Sequence, residues 1–300
     1  MKASPAIASV VLAASLWGTT GTVAHLISGS VGPVTVGAAT MGVGGLVLAG
    51  LAGRQAIAVW RRRDVRLELF WAALAVTVYP LAFYTGMNLA GVAAGNIIAL
   101  GVGPLVGAAL EWWLDRRRPG RAWWWALACG ATGVVALSLS DRSLTTADSE
   151  YWPWGIVAAL VAGVSYGGFS YLLARLMRSG HSALGATGAV FGLGAVVLIG
   201  VLIWSVPTVS VTTEAFVGLG YLVVGPMVVA YLFYGRALSG LASSSVLVIA
   251  LVEPAVATVL AVVIVGERFG PWGIMGLVAI AAAVWLAGRP SPLQERADSP

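Results

Sequence analysis

The chain has 300 residues, of which 59% are hydrophobic and only 10% are charged, with a formal net charge of +5. An ordinary soluble domain carries about 25% charged residues, so this chain has too few charges to cover the surface of a water-soluble protein. A disordered chain is also excluded, because disorder requires low hydrophobicity. Nucleic-acid binding is not expected, because the basic residues do not form one stripe. The composition therefore predicts an integral membrane protein.

Ten stretches of the chain are long and apolar enough to cross a bilayer, which requires about 20 residues per helix. None of them alternates residue by residue, as a transmembrane β-strand would. The first stretch follows Met1-Lys2 like a secretory signal, but no soluble region comes after it, so we expect a retained helix. The predicted spans are residues 5–28, 33–53, 69–89, 93–114, 122–140, 153–177, 183–205, 214–238, 241–265 and 270–288.

The basic residues predict the orientation of these ten helices. With the N-terminus in the cytoplasm, 15 of the 17 Lys and Arg residues lie on the cytoplasmic side, and only Arg142 and Arg268 lie outside. Nearly all of the 13 tryptophans lie near span ends, as in an aromatic belt, whereas Trp17 lies mid-span. We expect both termini to be cytoplasmic and the protein to be a multi-pass component of the cell (inner or plasma) membrane.

A shift of about 150 residues aligns the two halves of the chain. The aligned pairs are Tyr84 with Tyr234, Pro104 with Pro254, and Trp17-Gly18 with Tyr166-Gly167. Because each half would contain five helices, an odd number, the second half must be inverted in the membrane, as in many transporters. The predicted units are a first repeat at 1–140, an acidic outer linker at 141–152, a second repeat at 153–288 and a cytoplasmic tail at 289–300.

Four of the 13 prolines fall in the middle of predicted spans. They are Pro80, Pro104, Pro226 and Pro254, in spans 3, 4, 8 and 9. Interrupted helices at matching positions of two repeats indicate a substrate site near the membrane midplane, with the prolines as helix breaks and gating points. The alternative is that each proline is a kink whose freed backbone groups are satisfied by neighbours.

Glu253 lies near the middle of span 9, directly before Pro254. A charged side chain at the bilayer centre costs about 2.5–3.5 kcal/mol on insertion scales and usually faces a cavity or a partner. The carboxyl group could bind a proton or a substrate amine, or it could be a structural group that stabilises the broken helix. Its repeat-related position is Gly103, so no carboxylate pair is expected. Further candidate substrate-binding residues are Trp17, Thr20, Tyr84, Asn96, Tyr166 and Tyr234, with Thr19, Tyr171 and Tyr231 as additional polar groups.

Two other features indicate a structural role. Glu111 lies one turn before Asp115 and next to an arginine cluster, so an ion pair is expected there. The string Gly163–Gly167 matches the GxSxG nucleophile motif, but it lies inside a predicted helix and not at a strand–helix turn. There is no zinc-protease motif and no Walker loop, and we expect no metal, no cofactor and no enzymatic activity.

Three motifs resemble the EamA-type transporters of the drug/metabolite transporter superfamily. They are Leu16-Trp17-Gly18-Thr19, Leu251-Val252-Glu253-Pro254 and Val265-Gly266-Glu267-Arg268. The resemblance covers essentially the whole chain in two EamA-like halves. It implies ten helices in a 5+5 inverted repeat, a central cavity formed mainly by helices 1, 3, 4, 6, 8 and 9, and export of amino acids or other small metabolites. The chain departs from the family pattern at Arg117, where a glutamate is expected, and at Thr40, where arginine is frequent.

The leading hypothesis is a secondary transporter, an exporter that moves small metabolites such as amino acids or amphipathic amines by alternating access. Its partners would be a small-molecule substrate and the lipid bilayer, and the sequence leaves proton coupling and a homodimer open. An uncoupled facilitator and a membrane scaffold are the alternatives, and a membrane-embedded enzyme is the least favoured.

Overall fold

The computed structural model describes residues 3–27, 29–140, 150–205, 212–260, 262–263 and 270–288. Within these ranges the regular structure is helical, and we number the helices that correspond to the predicted spans α1–α10. Most of the predicted linker and the whole predicted tail lie outside the described residues. The helices are α1 (Ala3–Gly18 and Thr20–Leu26), α2 (Pro33–Ala52), α3 (Arg66–Ala90), α4 (Val92–Asp115), α5 (Arg121–Ser140), α6 (Trp152–Arg178), α7 (Ala183–Ser205), α8 (Thr213–Leu222, Val223–Val229 and Ala230–Leu238), α9 (Ser243–Ile249 and Val252–Leu260) and α10 (Pro271–Ala287).

Helix length and surface composition both fit a membrane. Nine of the described spans are long and apolar enough to cross it, and α10 is an apolar helix of 17 residues. Large apolar side chains such as Leu26, Val196 and Trp204 are 74%, 67% and 82% exposed, as expected of positions that face lipid. The predicted ten-helix, all-α membrane fold is confirmed, whereas its orientation stays a prediction.

The helices of the two halves pack in symmetry-related pairs. Helix α2 packs on its repeat partner α7, α4 packs on α9, and α5 packs on α10. In the same way α3 contacts α6, and its repeat partner α8 contacts α1. The core therefore lies between the two halves, so that neither half forms a separate bundle.

Glycines allow the close crossing of α2 and α7. A Cβ atom added to Gly45 would lie 2.6 Å from the backbone oxygen of Phe191, and one added to Gly188 would lie 2.7 Å from the backbone oxygen of Leu48. A Cβ atom at Gly50 would meet nothing within 4 Å. Small residues at such positions let two helix backbones approach, which favours association in lipid.

One set of three helices is irregular near mid-span, and its repeat-related set is continuous. Helix α1 is interrupted at Thr19, α9 is interrupted at Ala250-Leu251, and α8 contains a π-helical segment around Pro226. The partners α6, α4 and α3 run without interruption, although the sequence predicts breaks at Pro80 and Pro104. A proline without its N–H can remain in a membrane helix when neighbouring groups satisfy the freed carbonyl, so proline alone does not determine where a helix breaks.

The glycine contacts predict a matched pair of substitutions. We expect Gly45→Ala to lower the stability by about 1–3 kcal/mol, because its methyl group must displace the backbone of α7. Gly50→Ala in the same helix should be neutral or slightly stabilising, because alanine is a better helix former by about 1 kcal/mol. Thermal unfolding of both purified variants in one detergent measures the difference. Equal melting temperatures would contradict the close crossing.

Candidate functional site

A cavity of about 80 Å³ lies near mid-depth of the bundle, next to the interruptions of α1 and α9. It is formed by α1, α2, α3, α6, α8 and α9. Its aromatic wall consists of Trp17, Tyr79, Phe83, Tyr84, Tyr166 and Tyr231. The rest of the wall consists of Thr20, Thr40, Met41, Pro80, Leu222, Pro226, Met227 and Glu253.

Most of the candidate residues from the sequence meet at this cavity. Trp17, Thr20, Tyr84, Tyr166 and Glu253 line it, as do Pro80 and Pro226. The other candidates lie elsewhere: Tyr234 packs behind the wall against Trp17, while Asn96, Pro104 and Pro254 are not part of the lining.

Several lining residues are not among those that the sequence predicts. Phe83 lies three residues after the predicted Pro80, so i,i+3 spacing on one helix face indicates Phe83, and Tyr79 follows from Phe83 by i,i+4 spacing. Thr40 and Met41 gave no such signal, because they come from α2, which the family resemblance does not assign to the cavity. Helix α4, which it does assign, contributes none of the described lining residues.

The aromatic side chains form one connected cluster. The ring centroid of Trp17 lies 5.1 Å from those of Tyr231 and Tyr234, and the ring of Tyr79 stacks on Tyr166 at 5.4 Å. Such separations are typical of favourable aromatic pairs. The cluster joins α1, α3, α6 and α8 around the cavity.

Three polar groups define the chemistry of the wall. The indole N–H of Trp17 donates to the carbonyl oxygen of Pro226 at 2.8 Å, which ties α1 to the π-helical segment of α8. The hydroxyl of Tyr166 is buried and accepts or donates no hydrogen bond of good geometry among the described residues. The carboxyl group of Glu253 has no hydrogen-bond or ion-pair partner within the described ranges, and it is the single charged side chain of the described wall.

Glu253 is positioned by the break in α9. It lies in the first turn of the second segment of that helix, Val252–Leu260, and its backbone N–H donates to the carbonyl oxygen of Ala250 at 3.0 Å across the break. A Cβ atom added to Gly18 would lie 2.8 Å from the backbone oxygen of Glu253, so the two helix breaks are in contact. The glycine at position 18 is what permits this approach.

Charged residues gather at one end of the bundle, which we call the arginine-rich face. It contains the segment between α2 and α3, which includes a short helix at Arg54–Arg61 and a loop, the C-terminal ends of α4 and α6, and the N-terminal end of α9. Asp115 of α4 accepts hydrogen bonds from Tyr171 at 2.9 Å and Arg178 at 2.6 Å, and Arg175 bridges Asp115 and Glu68, each at 3.4 Å. These contacts hold α6 on α3 and α4. In the loop, the guanidinium of Arg62 lowers the pKa of Asp64 to about 2 through a hydrogen bond, so this carboxylate stays ionised near neutral pH.

The cavity is closed toward the arginine-rich face. Ser170 of α6 and Tyr234 of α8 share a hydrogen bond of 2.7 Å between their hydroxyl groups, next to the fully buried ring of Phe169. On the opposite side the lining side chains Thr20, Phe83 and Tyr84 are half-buried, whereas Tyr166 and Tyr231 are each only 3% exposed. The exposure of the wall therefore increases away from the arginine-rich face.

Glu111 forms a second closure between α4 and α9. Its Oε1 atom accepts from the Ser243 hydroxyl at 2.7 Å and from the Ser244 N–H at 3.2 Å, and Oε2 accepts from the Ser244 hydroxyl at 2.6 Å. The side chain is buried, with 6% exposure. The ion pair that the sequence predicts for Glu111 is therefore replaced by three hydrogen bonds to α9. A carboxylate can be buried in this way because its lone pairs are satisfied.

No arrangement suited to a metal occurs in the part of the chain that the structure describes. No three His, Cys, Asp or Glu side chains cluster there closely enough to hold an ion. The described site offers aromatic faces, one carboxyl group and several hydroxyl groups, which are groups that bind organic molecules.

Comparisons with known proteins agree with this architecture. The profile of the EamA-like transporter family matches residues 4–139 and again residues 153–289. An uncharacterized transporter, YwfM of Bacillus subtilis (strain 168), is 31% identical over 288 residues, which cover 91% of this chain and 93% of that protein. A solved crystal structure has the same fold, with a TM-score of 0.80, 20% identity and 99% coverage of both chains.

Because the cavity is closed toward the arginine-rich face, we expect water-soluble reagents to reach its side chains from the opposite face only. In a Cys129→Ala background, we expect Thr20→Cys to react with a membrane-impermeant maleimide added at the face opposite the arginine-rich face. Ser170→Cys should react slowly from either side, because Ser170 is fully buried. Labelling rates in oriented vesicles measure both. Faster labelling of Ser170→Cys than of Thr20→Cys would contradict the direction of closure.

Proposed function

The chain belongs to the EamA-like transporter family, and on this premise we propose that it is a secondary transporter that exports small amphipathic amines or amino acids by alternating access. The observation that supports this most is the cavity itself. One unpaired carboxyl group and six aromatic side chains meet there beside two helix breaks. Such midplane sites at discontinuous helices are typical of transporters built from inverted repeats.

Glu253 is the proposed point of energy coupling. A single carboxyl group can hold either a proton or the ammonium group of a substrate, and the site offers no second acid among its described lining residues. If the two ligands compete for Glu253, a proton gradient directed into the cell drives the amine outward. Intramembrane carboxyl groups serve in this way in many pumps and transporters.

The positive-inside rule supports a cytoplasmic location for the arginine-rich face in the cell membrane. With this orientation, the conformation described here is closed to the cytoplasm, and its cavity is directed toward the outside. Export then requires a second conformation in which the Ser170–Tyr234 contact and the contact of Glu111 with α9 are broken.

Three helices around the cavity are continuous and three are irregular, which supports a rigid role for the first group and a moving role for the second. Helices α3, α4 and α6 are continuous and are held together by the contacts of Asp115, so they form the rigid group. Helices α1, α8 and α9 are interrupted near the cavity, where a change of a few backbone torsions can tilt their end segments. We propose that α1, α8 and α9 move against the rigid group.

The closure by Glu111 has no polar counterpart in the other repeat. A shift of 150 residues places Ala261 on Glu111, and Ala93 and Ala94 on Ser243 and Ser244. Three hydrogen bonds therefore stabilise closure at the cytoplasmic face, and the related positions at the outer face are alanine. This asymmetry favours the outward-open state as the resting state.

The coupling role predicts the behaviour of Glu253→Gln. In liposomes that contain the purified protein, a pH gradient should drive accumulation of labelled amines or amino acids, and Glu253→Gln should abolish the gradient-driven part because glutamine binds no proton. Glu214→Gln, which neutralises an exposed carboxylate in α8, is the matched control and should transport normally. Transport at the same rate with and without the pH gradient, in both the native protein and Glu253→Gln, would indicate a facilitator.

The closure predicts a second matched comparison, with Ser170→Cys as the reporter. Removing both hydroxyl groups in Ser243→Ala/Ser244→Ala leaves Glu111 undersatisfied, at about 1–3 kcal/mol for a buried polar group, so labelling from the cytoplasmic face should increase at least fivefold. Ser245 makes no hydrogen bond with Glu111 in the described structure, so Ser245→Ala should leave the labelling rate unchanged. Equal labelling rates in the reporter alone, in Ser243→Ala/Ser244→Ala and in Ser245→Ala would show that Glu111 does not stabilise the closed conformation.

A further inference from the structure

We infer that the site selects organic cations, amines with an apolar or aromatic body and no carboxylate, and rejects zwitterionic amino acids. This inference rests on the proposed function and narrows its substrate class. It follows from the charge of the wall, from the faces of its aromatic rings and from one buried hydroxyl group that makes no hydrogen bond of good geometry.

The charge of the wall distinguishes an amine from an amino acid. Glu253 is the one charged side chain among the described lining residues, and no lysine, arginine or histidine accompanies it there. Two arginines of α6, Arg175 and Arg178, are bound to Asp115 at the arginine-rich face. The α-carboxylate of an amino acid would therefore enter the cavity without a counter-charge, and leaving a charge unpaired in a low-dielectric interior is strongly unfavourable.

The aromatic rings supply a second attraction for a cation. The rings of Trp17, Tyr79 and Tyr166 border the same cavity as the Glu253 carboxyl group. Ring faces attract ammonium groups that lie within about 6 Å of the centroid. The same rings provide apolar contact for the body of the ligand, and their faces, which carry negative potential, do not attract an anion.

Tyr166 supplies a directional contact. Its hydroxyl oxygen is buried at the cavity wall and has no hydrogen-bond partner of good geometry in the described structure, which is unusual for a buried polar atom. A hydroxyl oxygen has lone pairs that accept from an ammonium N–H. An amine held between Glu253 and Tyr166 would satisfy both groups.

Three related probes isolate the effect of the carboxylate. Phenethylamine, phenylalanine and phenylalanine methyl ester share the aromatic ring and the amino group, and only phenylalanine carries a carboxylate. Calorimetric titration of the detergent-purified protein should give at least tenfold tighter binding of phenethylamine and of the ester than of phenylalanine, since a buried charge left unpaired costs about 2–5 kcal/mol, which is about 30-fold to 4,000-fold in affinity. Equal or tighter binding of phenylalanine would overturn the inference.

Substitutions test whether the named groups cause this preference. Glu253→Gln should weaken amine binding at least about tenfold and reduce the preference over phenylalanine, whereas Glu253→Asp, which keeps the charge, should retain the preference. Tyr166→Phe should weaken the amine about threefold to tenfold, as expected for one lost hydrogen bond. Glu214→Gln should bind as the native protein does. A preference that survives Glu253→Gln in a folded protein would contradict the charge argument.

Flux measurements on the same preparations separate this inference from the proposed function. If phenethylamine binds selectively but no labelled amine crosses the liposome membrane, the cation site stands and the transport proposal fails. If amines and amino acids are transported and bound equally well, transport stands and the selectivity fails. Binding of neither class overturns the cation site.

Discussion

The central constraint on this molecule is one carboxyl group, that of Glu253, at mid-depth of an apolar helix bundle without a counter-charge among its described neighbours. Such a group is stable there only if it is protonated, hydrated or bound to a cation. The helix breaks at Thr19 and at Ala250-Leu251 meet beside it, and the cavity gives it access to a ligand. The aromatic wall, the closure and the proposed coupling all depend on this position.

Helices at repeat-related positions around the cavity differ in regularity: three are continuous and their three repeat partners are irregular. In one set of helices, Asp115 binds α6 to α4, and Arg175 extends the network to Glu68 of α3. In the repeat-related set, each helix is irregular near the cavity, and the indole of Trp17 donates to a carbonyl of the π-helical segment. A rigid group that faces an adaptable group is what a rocking motion around a fixed site requires.

The sequence predicted the fold well because the bilayer imposes a simple rule on span length. It also indicated Glu253, Trp17 and Tyr166, which line the cavity, since polar and aromatic groups in mid-span are conspicuous; their role in substrate binding stays a prediction. It did not predict the three-helix pattern of breaks, because proline does not by itself decide whether a membrane helix is interrupted. Nor did it predict the partners of Glu111, because Ser243 and Ser244 lie more than 130 residues away, and packing alone brings them together.

The most direct test of the account is the number of protons that the purified protein releases when an amine binds. If Glu253 holds either a proton or the amine, adding phenethylamine near neutral pH should release protons into a weakly buffered solution. The release should disappear in Glu253→Gln, measured at amine concentrations that saturate each protein. Saturating binding with no proton release, or a release unchanged by Glu253→Gln, would contradict the shared carboxyl group on which the account depends.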